Sequence, residues 1–182
     1  MNILHLAFQL GISKKLPRTG WVLNGIKNPE SVAEHCFRVI VLTMALAEVL
    51  DLNQQKLIKM SVIHDIGETS TGDLVVEHGK EINHRKRKVK ESMEKDAIRH
   101  ILYGYKEDYA KLFQEMIDRK TPEAIVFWQI DKLEMAIQAY EYEKEQKVDL
   151  SQFFVSSDAQ IKHPVIRKAF DDLMKMRVNL KK

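Results

Sequence analysis

Two histidines and two aspartates sit in apolar, helix-forming stretches of this 182-residue chain: His35 in SVAEHCFRV, the adjacent His64 and Asp65 in VIHDIGE, and Asp131 in FWQIDKLEM. Two imidazole nitrogens and two carboxylate oxygens make a ligand set for one divalent cation, and a cation held this way equips a protein for hydrolysis. Each residue alone says little, because a single histidine on an apolar face is ordinarily a hydrogen-bonded core residue and His-Asp dipeptides arise by chance. The joint pattern carries the inference.

The elements that must bring these residues together read as helices. Apolar spacings of three and four recur, strand-like alternation is scarce, and glycine and proline fall mainly between periodic segments, so the expected class is all-α. A first helix is predicted over 3–10. It is followed by LPRTGWVLNGIKNPE, where Pro17, Gly20, Gly25 and Pro29 forbid a long regular element; stretches of this kind in compact domains are more often binding segments than idle connections. Ser31 opens the next helix, Glu34 completes a capping box, and His35 continues an inward row through Val39, Leu42, Leu46 and Val49.

After a turn at 51–53, a third helix is predicted over 54–65, with Gly67 placed to close it. Its inward rows, Leu57-Met60-Ser61-His64 and Ile58-Val62-Asp65, both end in a candidate ligand. A short turn makes these two helices antiparallel neighbours, so His35 should face His64 and Asp65 along arms of roughly 22 and 16 Å. Asp65 would then meet the negative end of its helix dipole, a conflict of roughly 0.3–1 kcal/mol that a bound cation would remove.

A charged helix is predicted over 81–102, containing HRKRKVKESMEK, and another over 107–119. Thr121-Pro122-Glu123 is a strong start for a long core helix, with Val126, Ile130, Leu133, Ile137 and Tyr140 in one row and Trp128, Asp131 and Met135 in the next. Asp131 is therefore expected to be buried, and it needs an arginine, backbone donors or a metal. A final amphipathic helix is predicted over 163–178. The basic run at 84–90 reads as a solvated face, with a phosphate-attracting rim as the alternative, Cys36 as a small core residue, and Tyr140 and Tyr142 as packing residues. With no repeat or low-complexity tract, residues 1–182 read as a single domain.

Composition excludes more than it identifies. An apolar fraction of 45% with 30% charged residues is that of an ordinary globular protein, and a net charge of +3 argues for neither nucleic acid nor an anionic membrane. The basic run also lacks the interleaved aromatics of a single-strand nucleic-acid site. No apolar run approaches the roughly 20 residues of a membrane span. One cysteine excludes an internal disulfide, and the N-terminus lacks a secretory pattern, so the expected compartment is the cytoplasm.

Longer wording surrounds the four candidate ligands: PRTGW (17–21), PESVAEH (29–35), HDIGE with the following TGD (64–73), and DKLEMAIQAYEYE (131–143). In these blocks and in the order H…HD…D the chain resembles the HD-domain phosphohydrolases, and within them the YfbR-like 5′-deoxynucleotidases. The resemblance implies a single HD-domain helical bundle in which His35, His64, Asp65 and Asp131 hold one divalent ion, Mn²⁺, Co²⁺, Zn²⁺ or Fe²⁺. It implies proton transfer by Glu68, where a reading without it would be a solvated surface acid. Asp73 would orient the attacking water and contact substrate, and Arg18 would read phosphate and sugar through its planar fork of donors.

Trp21 would stack on the base or wall the pocket, although Thr19 and Gly20 here separate it from the arginine. Leu74, Val75 and Val76 would line the substrate loop, and His35 and Asp131 would face substrate as well as metal. The implied activity is hydrolysis of deoxyribonucleoside 5′-monophosphates to deoxynucleosides and phosphate by a homodimer. Exclusion of a 2′-hydroxyl would have to come from close packing at the sugar edge. Two other readings stay open: an HD hydrolase of a nucleotide diphosphate, triphosphate or cyclic phosphodiester, and a non-catalytic binding module stapled by its metal.

Overall fold

In the computed structural model, which describes residues 2–78 and 81–180, most helix starts are fixed by a side-chain acceptor at the N-cap. Asn2 caps α1 (Ile3–Ser13), Asn53 caps α4 (Gln54–Ile63), Asn83 caps α6 (His84–Ile101), Asp108 caps α7 (Tyr109–Asp118) and Thr121 caps α8 (Pro122–Gln146). Each satisfies a backbone N–H that would otherwise lack a partner. Ser31 and Glu34 form the full capping box of α3 (Val32–Ala47). The proline-containing loop holds only the short α2 (Thr19–Leu23), and α5 (Glu68–Thr71) is a single turn. A minimal antiparallel hairpin, β1 (Glu77–His78) with β2 (Glu81–Ile82), is the only strand pair among the described residues and leaves the class all-α. Two helices, α9 (Ser151–Gln160) and α10 (Pro164–Leu180), complete the chain.

The long α8 is the hub, packing against α3, α4, α7, α9 and α10. On one side Ile130, Leu133, Leu150, Phe154, Ile161, Ile166 and Phe170 form a core with Trp21; on the other Phe127 joins Val39, Leu57, Met60, Ile63, Ile98, Phe113 and Met116. Each fully buried Leu, Ile or Phe contributes about 1.5–3 kcal/mol of transfer free energy, so α8, which feeds both cores, is rigid where it carries Asp131. Among the described residues no helix is long and apolar enough to cross a membrane.

Several expected rows and boundaries are displaced. The buried row of α3 is Val32, His35, Val39, Thr43 and Ala47; Leu42 and Leu46 pack only partly, and Val49 lies beyond the helix at 64% exposure. On α4, Val62 is exposed and Ile63 takes the buried place. The charged helix begins at His84 because Asn83 caps it, with residues 81–82 in the hairpin. Met1, Gly79, Lys80, Lys181 and Lys182, part of the expected domain 1–182, lie outside the described residues.

Gly67 does not end a helix in the left-handed conformation. Its φ of −56° and ψ of −33° are right-handed helical, and its role is clearance, since a Cβ there would stand 2.9 Å from Glu94 Cα. α5 can therefore lie directly on α6.

Candidate metal centre and cavity

Backbone pairing across the proline-containing loop brings Arg18 to the site. Arg18 N–H donates to Glu30 O at 3.0 Å and Val32 N–H to Leu16 O at 2.8 Å, which ties the loop to the first turn of α3, one residue group before His35. From there Arg18 Nη1 reaches Asp65 Oδ2 at 2.8 Å and stands 4.0 Å from Glu68 Oε2. This guanidinium offsets the expected conflict between Asp65 and the end of its helix. Burial opposes the charge of Arg18, but Asp73, Asp65, Glu68 and Asp131 around it hold it firmly protonated.

The four candidate ligands converge from α3, the end of α4 and α8. His35 Nε2 lies 3.2 Å from Asp131 Oδ1, 3.4 Å from His64 Nε2 and 3.7 Å from Asp65 Oδ2, and His64 Nε2 lies 3.3 Å from Asp65 Oδ2. Donors about 2.0–2.2 Å from a common ion stand roughly 3–3.5 Å apart, so this spacing suits a single divalent cation. The orientation of the rings agrees. His64 Nδ1 is 2.8 Å from the Ser61 carbonyl, which can only accept, and His35 Nδ1 is 2.6 Å from Glu134 Oε2. With both Nδ1 atoms set against acceptors, the two rings turn their Nε2 atoms toward each other, 3.4 Å apart, and both toward Asp65 Oδ2, an arrangement that suits a cation among them.

The carboxylates supply the complementary charge. Burial would push Asp65 and Asp131 up, yet His64, Arg18 and His35 around the first, and His35, Lys132 and His64 around the second, hold both below the usual carboxylate range. His35 shows the same demand from the other side. Burial and Arg18 press its imidazole down, but Glu134 and Asp131 raise it to about 10.

A cavity of about 330 Å³ opens beside this cluster, within the size range of small-molecule sites. Arg18, Trp21, His64, Asp65, Glu68, Asp73, Leu74, Val75, Val76 and Asp131 all line it. His35 is the exception: fully buried, it backs the cluster rather than the cavity wall. Glu68 is no surface acid. It is 1% exposed, and its carboxyl is pushed well up by burial and by Asp65, against the opposing pull of Lys90. Its Oε1 pairs with Lys90 Nζ at 3.0 Å, while Oε2 is buried without a hydrogen-bond partner. Asp73 Oδ2 accepts the Thr19 N–H at 2.7 Å at the start of α2, and its Oδ1 faces Lys90 at 3.9 Å. Trp21 is packed against Phe153 and Tyr142 with Nε1 donating to Glu30 Oε1 at 2.8 Å, so it presents a fixed wall.

Several contributing residues escaped the reading of the chain. Glu134 lies one turn beyond Asp131 on α8, a spacing that could have marked it as a partner of the same site. Burial works against its charge, but His35 and Arg38 hold its carboxyl below the ordinary value. Lys90 and Arg87 belong to the basic run expected to be solvated; both turn toward the cavity, whereas His84, Arg85, Lys86 and Lys88 are exposed as expected. Cys36 offers a sulfur within 4.8 Å of donor atoms of His64 and Asp65, but burial and the nearby Asp65 push its thiol well up, in keeping with a small packed residue.

Residues 10–174 match the HD domain family. The chain is 37% identical over 182 residues to a Dictyostelium discoideum protein named 5′-deoxynucleotidase HDDC2, covering 91% of this chain and 93% of that one. A Danio rerio protein of the same name is 34% identical over 173 residues, covering 91% of this chain and 82% of that one. A conserved hypothetical protein from Pyrococcus furiosus has a similar structure, with a TM-score of 0.80 at 32% identity over 94% of this chain and 99% of that one. With His35, His64 and Asp131 offering ligand atoms within 4.8 Å of one another, Asp65 beside His64 at 3.3 Å, and the match spanning nearly its whole length, the chain belongs to the HD domain family.

Proposed function

We propose that this protein is a metal-dependent phosphohydrolase that converts deoxyribonucleoside 5′-monophosphates to deoxynucleosides and phosphate. The observation that carries the reading is the meeting of two inward-facing Nε2 atoms with two ionised aspartates at the mouth of a cavity walled by Arg18, Glu68 and Asp73. Relatives matched over most of their length are named 5′-deoxynucleotidases, which supports the substrate class.

His35, His64, Asp65 and Asp131 would hold the ion, with Mn²⁺, Co²⁺, Zn²⁺ and Fe²⁺ all compatible with a two-histidine, two-aspartate set. A cation there would supply Lewis acidity to a phosphoryl oxygen and make water nucleophilic near neutral pH. Arg18, held beside Asp65, offers its donors to the phosphate from the cavity wall. Glu68, whose carboxyl favours the protonated form, delivers a proton to the departing 5′-oxygen. Asp73, fixed by Thr19, orients water with its second oxygen. Trp21, Leu74, Val75 and Val76 would form the apolar wall, and discrimination against a 2′-hydroxyl would come from close packing at the sugar edge.

The same reading takes residues 1–182 as one HD domain in a cytoplasmic homodimer without a nucleic-acid partner. Phe37, Val41 and Met44 share one exposed face of α3, an apolar strip suited to a second copy of the chain, and analytical ultracentrifugation tests it.

The deciding experiment is phosphate release by metal-stripped protein reloaded with Mn²⁺, Co²⁺ or Mg²⁺, comparing deoxy- and ribonucleoside 5′-monophosphates with a 3′-monophosphate. Release confined to the 5′-deoxy substrates and lost in Asp65→Asn, with helicity intact, is the expected result. Release from ribonucleotides removes the sugar selectivity, and full activity in Asp65→Asn removes the ligand assignment.

A further inference from the structure

His35 and His64 are oriented by unequal partners. The Nδ1 of His64 meets a backbone carbonyl, whereas that of His35 meets a carboxylate, Glu134, which is wholly buried. Both oxygens of Glu134 are engaged: Oε2 with His35 at 2.6 Å and Oε1 with Arg38 Nε at 2.8 Å. Arg38 is itself clamped, donating from Nη1 to Glu141 Oε2 at 2.8 Å and from Nη2 to Gln138 Oε1. Glu134, Gln138 and Glu141 follow the spacing of one helical face, so α8 grips a single guanidinium at three points. Arg38 is three residues beyond His35 on α3, which makes the clamp and the imidazole parts of the same helix–helix contact.

An ionised carboxylate with one oxygen already committed to a fixed arginine can only accept at the other. It therefore selects the imidazole form with its proton on Nδ1 and holds the ring plane. We propose that Glu134, clamped by Arg38, is a positioning residue for metal uptake, fixing His35 in the Nδ1-protonated tautomer with its Nε2 lone pair aimed at the point shared with His64, Asp65 and Asp131. The inference rests on the reading of those four residues as a cation site. It adds a device by which α3 and α8 set the plane of the His35 ring, and it assigns a purpose to Glu134 and Gln138, polar residues buried on the most buried helix.

The test reads metal binding rather than turnover. Metal-stripped protein is titrated with Mn²⁺ alone, and the free ion is followed by electron paramagnetic resonance. Glu134→Gln, of the same shape but uncharged, is expected to bind Mn²⁺ about 10- to 100-fold more weakly. Glu134→Asp, which keeps the charge, recovers part of the loss. Arg38→Met, which leaves the carboxylate but frees it, falls between native and Glu134→Gln. Binding by Glu134→Gln as tight as native overturns the proposal.

Should that variant fail to fold, imidazole ¹⁵N NMR of the native Zn²⁺-loaded protein decides. A proton on His35 Nδ1 supports the proposal, and one on Nε2 overturns it. Asp131→Asn in the same titration separates the two kinds of failure. If it binds Mn²⁺ as native does, the cation site itself is wrong and the positioning falls with it; if it loses binding while Glu134→Gln keeps it, only the positioning falls.

Discussion

Replacing Gly67 by alanine tests whether the site depends on the close approach of α5 and α6. The backbone at Gly67 is right-handed helical, so alanine meets no conformational strain there. Its methyl group would instead stand 2.9 Å from Glu94 Cα and Cβ and 3.0 Å from the Glu94 carbonyl oxygen. Favourable carbon contacts lie at about 3.5–4.0 Å, and since the crowded atoms include backbone, relief requires the helices to part by roughly 0.6–1 Å. Overpacking of this kind costs about 1–3 kcal/mol, offset by about 0.4–1 kcal/mol for the stiffer unfolded chain. At the middle of these ranges the net loss is about 1.3 kcal/mol, a fall in Tm of roughly 3–5 °C for a chain of this size. Glu94 is one turn beyond Lys90, whose ammonium holds Glu68 at 3.0 Å, so parting the helices also loosens that contact and should lower kcat. Thermal unfolding of the metal-stripped protein by circular dichroism, with turnover of the reloaded protein, measures both. The control is Gly11→Ala within α1, where nothing lies within 4 Å of the added methyl and a gain of about 0.5–1 kcal/mol is expected from helix propensity. A Gly67→Ala protein that melts at or above the native temperature and keeps its activity would show that the glycine does not serve clearance.

Glu68→Gln should lower kcat by roughly 10²–10⁴ while leaving Mn²⁺ affinity and helicity in place; an unchanged kcat removes Glu68 from proton transfer. Glu94 titrates unusually high, pushed from its ordinary 4.5 to about 7 by burial and by Asp65 and Asp73 against the pull of Lys90. Because the folded state holds this proton more tightly than the unfolded chain, its contribution to stability is complete below about pH 4.5 and lost as the pH rises through about 7. Urea titrations at pH 5 and pH 8 should therefore show native protein losing on the order of a few kcal/mol relative to Glu94→Gln, and parallel pH profiles would refute the assignment. Arg177 forks onto Glu143 at 2.6 and 2.7 Å and stacks on Phe154, fastening α10 to α8 and α9. Arg177→Met removes this fork from the buried Glu143 and should cost about 3–5 kcal/mol in chemical denaturation; a loss below about 1 kcal/mol would mark the pair as dispensable.

The contrast between α3 and α9 shows what made the fold legible. α3 announces itself locally, because Ser31 and Glu34 satisfy each other's backbone within one turn and the signal lies inside four consecutive letters. α9 is marked more weakly. Its N-cap, Leu150, has no side-chain acceptor; Asp149 just before it takes the Ser151 N–H at 3.1 Å, and the Leu150 N–H is accepted by Glu143 Oε1 on α8 at 2.9 Å, so its start rests partly on a contact outside its own letters. The site divides the same way. His35, His64, Asp65 and Asp131 were visible because ionisable groups in apolar helices are costly unless something accepts their charge. Lys90 was hard to single out because a lysine in HRKRKVK is satisfied by solvent in a local reading; Glu68 on α5, with Asp73 and Glu94, and the missing side chain at Gly67 turn it inward. Gly67 shows the ambiguity in one letter, since glycine serves both a left-handed turn and a close approach, and the helix before it suggested the first. The groups that carry charge into the interior are thus readable one at a time, while those that hold them in place acquire meaning only in pairs. It is through such pairs, His35 with Glu134 and Glu68 with Lys90, that substitution should alter the chemistry without touching a candidate ligand.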